Sequence, residues 1–143
     1  MHSSNYLTLD GDVRQMRQAD IDALSGRISG GLLGRGDKGY DDARKVWNAT
    51  VDHRPALIAR CMNDADVQAA VRFAAAERMR LSVRGGGHHI AGNAVVEGGL
   101  MIDLSGWRAV SVAVAKRTAR VAPGALLCDF DREAQAHAAQ HVR

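Results

Sequence analysis

Between residues 84 and 93 the chain reads Arg84-Gly85-Gly86-Gly87-His88-His89-Ile90-Ala91-Gly92-Asn93, its densest cluster of residues able to do chemistry. Glycines at 85, 86, 87 and 92 have no Cβ, so the backbone can approach a ligand closely and point successive N–H groups inward. That geometry suits a diphosphate. Arg84 adds a fixed cation at the edge of the run, with a planar fork able to grip an anion bidentately. Asn93 can hydrogen-bond a backbone group or a ribose. The other reading is a mobile surface loop, because glycine runs also serve as linkers. Apolar runs on both sides of the stretch and the His-His-Ile-Ala segment within it argue for a built loop.

Other chemical constellations are weaker. His88 and His89 are adjacent, and neighbours in extended chain face opposite sides, so the pair does not make a metal site by itself. No Asp, Glu or Cys stands nearby at a zinc-ligand spacing, and we expect no metal. Gly34-Arg35-Gly36-Asp37-Lys38-Gly39 matches G-x-G-x-x-G letter for letter. The dinucleotide fingerprint also needs a solid strand before it, a helix opening inside it and an acid about 20 residues on. Here only Leu32-Leu33 precede it, and the next strand candidate ends in Arg60-Cys61. We read it as a glycine-rich turn. Cys61 and Cys128 are far apart and give no disulfide framework; both read as small buried side chains, and a reducing, cytoplasmic setting follows. His53, His137 and His141 read as surface histidines. No nucleophile elbow or Walker loop occurs.

The elements that must position the loop follow from periodicity. A helix is expected around Val13 to Leu24, a short strand at Gly31-Leu32-Leu33 and a short helix over Asp41 to Trp47. Ala56-Leu57-Ile58-Ala59 has the composition of a buried strand. Asn63 can cap the clearest helix, with Asp64 and Asp66 favouring its positive end. Val67, Ala70, Val71, Ala74 and Ala75 then recur at helical spacing, through to Met79. Leu81-Ser82-Val83 makes the next strand, and strand–helix–strand units normally pair their strands in parallel. Beyond the loop, Leu100 to Leu104 suits a central strand. Val110 to Val114 and Thr118 to Val121 alternate as a hairpin with one buried face, and an Ala-rich helix runs from Leu126 to about Ala139. The fold class is α+β: a small mixed sheet, made of a strand–helix–strand unit plus a hairpin, with flanking helices.

The chain has 143 residues, a formal charge of +3 and 46% hydrophobic residues, which fits one globular domain. Only two each of Trp, Tyr and Phe are present, so the core is built from small side chains. The 19 Lys and Arg are scattered without a cationic run or interleaved aromatics, which speaks against nucleic acid as a partner. No apolar run approaches the roughly 20 residues needed to span a bilayer, and Met1-His2-Ser3-Ser4-Asn5 opens no signal peptide. No membrane partner is expected.

Taken together, Trp47-Asn48, Arg54-Pro55-Ala56-Leu57-Ile58, Asp66-Val67, Arg84-Gly85-Gly86-Gly87-His88, Gly92-Asn93, Gly98 to Ser105, Thr118 to Val121 and Pro123-Gly124-Ala125 form an ordered series. It resembles the first half of the PCMH-type FAD-binding domain, closest to bacterial FAD-linked oxidases similar to the berberine bridge enzyme, within the vanillyl-alcohol oxidase superfamily. The resemblance implies a first subdomain of that fold over residues 47–143, preceded by a helical and irregular lead-in over 1–46. It implies that FAD is the partner, its diphosphate held by Arg84, Gly85, Gly86, Gly87, Gly92 and Asn93, with His89 as a loop contact. It also implies that His88 is joined covalently to the flavin's 8α-methyl carbon. In such proteins another glycine-rich segment and a substrate domain carrying the catalytic base come later; we read no counterpart of either in this sequence, so no catalytic residue is assigned and a small organic substrate is expected only if further sequence completes the fold. Two other readings stay open: a stand-alone, non-catalytic module for FAD or its ADP half, and a truncated inactive fragment.

Overall fold

The computed structural model describes residues 5–138. Its elements are β1 (Asn5–Leu7), β2 (Val13–Gln15), α1 (Gln18–Ser25), β3 (Leu32–Gly34), α2 (Tyr40–Ala43), β4 (Leu57–Arg60) and α3 (Asp64–Ala76). They continue with β5 (Leu81–Arg84), β6 (Leu100–Asp103), β7 (Val110–Ala113), β8 (Thr118–Val121) and α4 (Leu127–Ala138). The class is α+β. The central sheet has the order β3-β4-β6-β5, with β3 antiparallel to β4 and the other pairs parallel.

Both faces of this sheet are covered. On one, Leu57, Ala59, Leu100 and Ile102 pack with Ala70 and Ala74 of α3, with Ile21 and Leu24 of α1, and with Tyr6. On the other, Ile58 and Met101 pack with Tyr40, Ala43 and Val95. Residues before Trp47 therefore supply both an edge strand and core side chains to the sheet that carries the glycine loop. The alternation within each strand dictates this division, because successive side chains face opposite sides. β6 is buried at all its positions, as a central strand must be.

The structure corrects several expectations. β4 and β5 do not pair with each other: β6 lies between them, parallel to both. Local sequence gives the crossover but not which later strand inserts. The helix expected from Val13 begins at Gln18, because Val13–Gln15 pairs with β1 across a turn in which Gly11 has φ +91°. Thr8 Oγ1 accepts the Asp12 N–H at 3.0 Å in the same turn. α2 is one turn only, and α3 stops short of Met79, with Arg78 left-handed at φ +50°. The hairpin buries less than expected: Val110 and Val112 are half-covered on the side of α4, while β8 is exposed throughout. Cys128 is exposed. The antiparallel β3–β4 pairing denies the Gly34–Gly39 turn the parallel unit a dinucleotide fingerprint requires. His141 lies outside the described residues, and no helix among those described is long and apolar enough to cross a membrane.

The start of α3 shows how polar groups fix this frame. Asn63 caps it, its side chain accepting the Asp66 N–H at 3.0 Å. Asp66 is 1% exposed, and its carboxylate accepts from Met62 N–H and Ser29 Oγ, both at 2.9 Å. Burial by itself would raise its pKa, but these hydrogen bonds, chiefly from Met62 and Ser29, hold it below the usual carboxylate value. A depressed native pKa stabilises the fold above the ordinary carboxylate range, and that contribution is lost as pH falls through the native value. Asp66→Ala should therefore cost about 1–3 kcal/mol at neutral pH by leaving buried donors unpaired. Urea denaturation should show the gap between wild type and variant narrowing as the pH is lowered towards 2–3; a gap independent of pH would refute the role.

Candidate functional site

The sheet register puts Arg60, Asp103 and Arg84 in one row at the carboxyl ends of β4, β6 and β5. In open α/β sheets this end is where ligands bind. Asp103 is 5% exposed, and its Oδ1 lies 3.6 Å from Arg84 Nη1. The same Nη1 donates to Ala43 O, at the end of α2, at 2.8 Å. The guanidinium is thus turned into the fold rather than left open at the loop's edge. Its Nε remains buried without a hydrogen-bond partner among the described residues. A cleft of about 320 Å³ lined by Gly30, Arg60, Met62, Asp103, Ser105 and Gly106 lies on the other side of Asp103.

From Arg84 the chain enters the glycine loop. Packing explains part of its composition. A Cβ on Gly85 would stand 2.7 Å from Pro123 O, and one on Gly86 would stand 3.0 Å from both the His88 ring and Leu126. Gly87 and Gly92 have φ of +75° and +77°, which L side chains rarely adopt. A Cβ on Gly92 would also run into Val51, at 2.6 Å from Cγ2. The loop is therefore wedged between residues 46–51 on one side and Pro123 and Leu126 on the other.

Its polar groups are less committed. Gly87 O accepts from Trp47 N–H at 2.9 Å, and Ile90 O accepts from Asn48 Nδ2 at 2.9 Å. His89 closes the far end: its carbonyl accepts from Gly92 N–H at 3.1 Å and its Nδ1 from Asn93 N–H at 3.4 Å. By contrast, no backbone N–H from Gly86 to Ala91 donates a hydrogen bond among the described residues. Gly86, His88, His89, Ile90, Ala91 and Asn93 are exposed. The His88 ring centroid lies 6.5 Å from that of Trp47, itself 69% exposed, with the planes tilted by 36°. A row of uncommitted amide donors on an exposed loop can hydrogen-bond an anion.

The family profile described as FAD binding domain matches residues 55–140. The chain belongs to this family. It is 35% identical over 107 residues to (R)-6-hydroxynicotine oxidase of Paenarthrobacter nicotinovorans, covering 75% of this chain and 23% of that protein. An FAD-linked oxidoreductase of Bacillus subtilis (strain 168) is 38% identical over 82 residues, covering 57% of this chain and 18% of that protein. Among solved structures, 6-hydroxy-D-nicotine oxidase from Arthrobacter nicotinovorans superposes with a TM-score of 0.74 at 34% identity, over 76% of this chain and 24% of that one. Xylooligosaccharide oxidase from Myceliophthora thermophila gives 0.68 at 25% identity, over 76% and 23% of the two chains. The relatives are FAD-linked oxidases of the vanillyl-alcohol oxidase and berberine bridge enzyme-like group, and this fold is the PCMH type. The chain spans about a fifth to a quarter of the length of these relatives.

Sequence reasoning missed the chain crossing the loop at Trp47 and Asn48, and the wedge formed by Val51, Pro123 and Leu126. One local signal existed: Asn48-Ala49-Thr50 is an Asx turn, Asn48 Oδ1 accepting from the Thr50 N–H and hydroxyl. Cys61 offers no nucleophile, since burial, with Asp66 and Asp103 adding to it, pushes the thiol up to about 12. No group of three or more His, Cys, Asp or Glu able to hold a metal occurs among the described residues. Gly92→Ala should lower stability by about 1–2 kcal/mol from backbone strain and by more from the Val51 clash. Adding Val51→Ala should recover only the second part. Thermal denaturation of the two variants checks this, and full recovery in the double variant would show that φ carries no cost.

Proposed function

We propose that the loop from Arg84 to Asn93 holds the diphosphate of FAD, with Arg84, Gly85, Gly86, Gly87, His88, His89, Gly92 and Asn93 as the contacting residues. The observation that carries this reading is the run of N–H groups from Gly86 to Ala91, which have no partner among the described residues. Unpaired amides on an exposed loop are donors available to an anion, and the Arg84 guanidinium beneath them adds positive potential. Residues 47–143 carry the cofactor-facing part of this unit, and residues 1–46, whose described part supplies β3 and core side chains to the same sheet, precede it. The unpaired cysteines support a reducing, cytoplasmic setting. The chain supplies the FAD-binding portion of an FAD-linked oxidoreductase, and when bound the flavin provides the two-electron redox chemistry.

We assign His88 as the covalent tether. Its imidazole is exposed at the end of the glycine run, and a neutral ring nitrogen is a competent nucleophile. In the tether a ring nitrogen of His88 would replace one hydrogen of the flavin's 8α-methyl group; dioxygen would be the two-electron acceptor for that hydrogen and the imidazole N–H hydrogen, leaving as hydrogen peroxide.

The test uses the whole chain incubated aerobically with FAD and precipitated in acid. Yellow flavin should stay with the wild-type pellet. His88→Ala should release all of it while still quenching FAD fluorescence reversibly before precipitation. A colourless wild-type pellet with intact quenching would remove the tether and keep the cradle; loss of both would remove the reading.

A further inference from the structure

We propose that Trp47 and Asn48 position His88, a role that rests on reading the loop as an FAD cradle. The two residues cross the loop as a strap. The Trp47 N–H holds Gly87 O at 2.9 Å, immediately before His88, and Asn48 Nδ2 holds Ile90 O at 2.9 Å, two residues after it. Both bonds grip carbonyls, so they fix the backbone around His88 without occupying any of its N–H donors. The indole then stands at the side of the imidazole, with a centroid distance within the usual range for interacting rings.

Trp47 is 69% exposed and contributes little to any core. Its backbone is tied to the loop, and its ring stands 6.5 Å from the His88 ring. Its position restricts the rotation of an otherwise exposed imidazole. A nucleophile confined near its attack geometry reacts faster than a free one, and misplacement by about 1 Å can cost 100-fold. Trp47 and Asn48 are thus positioning residues, acting on the carbon–nitrogen bond only through His88.

The test compares Trp47→Leu, Trp47→Phe and Asn48→Asp in the whole chain, with two readouts. The first is the His88 ring resonances by NMR in the protein without FAD, assigned by their loss in His88→Ala. Trp47→Leu should move them towards the positions of a free histidine, and Trp47→Phe should move them less. The second is the rate at which added FAD becomes acid-stable. Trp47→Leu and Asn48→Asp should bind FAD reversibly within about threefold of wild type but attach it roughly tenfold more slowly, with Trp47→Phe recovering most of the rate. Unmoved His88 resonances in Trp47→Leu, or attachment at the wild-type rate, would overturn the positioning role while leaving the cradle intact. Should wild type bind no FAD, or bind it only reversibly, the reading of the loop or its tether falls, and the resonances alone decide whether Trp47 orients His88.

Discussion

Asp103 ends the central strand with a carboxylate that is almost wholly buried, and the carboxyl-terminal end of the sheet is organised around it. In register it faces Arg60 on one side and Arg84 on the other, and Arg84 approaches it to 3.6 Å. Its Oδ1 also accepts the Ser105 N–H at 3.1 Å, and its backbone carbonyl accepts the Cys61 N–H. Removing Arg84 would leave the Asp103 carboxylate without its nearest cation. Through Arg84 the same carboxylate connects to the Ala43 carbonyl, and so to the segment that leads into Trp47. The exposed loop is hung from a charge pair beneath it.

Glycine in this loop meets two demands at once. Gly85 and Gly92 are required by protein atoms, Pro123 O and the Val51 methyls, as much as by any ligand. Gly87 turns the chain at positive φ while its carbonyl is tied to Trp47. The packing that excludes a Cβ at Gly85 and Gly92 leaves the amides from Gly86 to Ala91 without partners among the described residues. A flexible linker of similar composition would need neither.

The sequence shows most clearly what depends on local chemistry. The Asn63 cap, the helical spacing of Val67, Ala70 and Ala74, the apolar run of β6 and the density of glycine after β5 each announce themselves within a few residues. What it hides depends on partners distant in the chain. Nothing near Leu100 says that β6 will separate β4 from β5. Nothing near Trp47 says that its N–H will meet a carbonyl 40 residues on. The exposure of Cys128 depends on how α4 lies against β7, which its own composition does not fix. Val13–Gln15 was hidden because a three-residue strand next to a helix leaves too short a pattern to separate the two periods.

The wedge around the glycine loop also bears on the order in which the molecule is completed. Its walls come from residues 46–51, 84–92 and 123–126, so it closes only after widely separated pieces of chain have met. Contacts of that kind carry a large loop-closure cost and tend to form late in folding. A ligand that binds only the closed loop draws the folding equilibrium forward by mass action. A cofactor held by the closed loop alone would therefore raise the fraction of chain in its finished state.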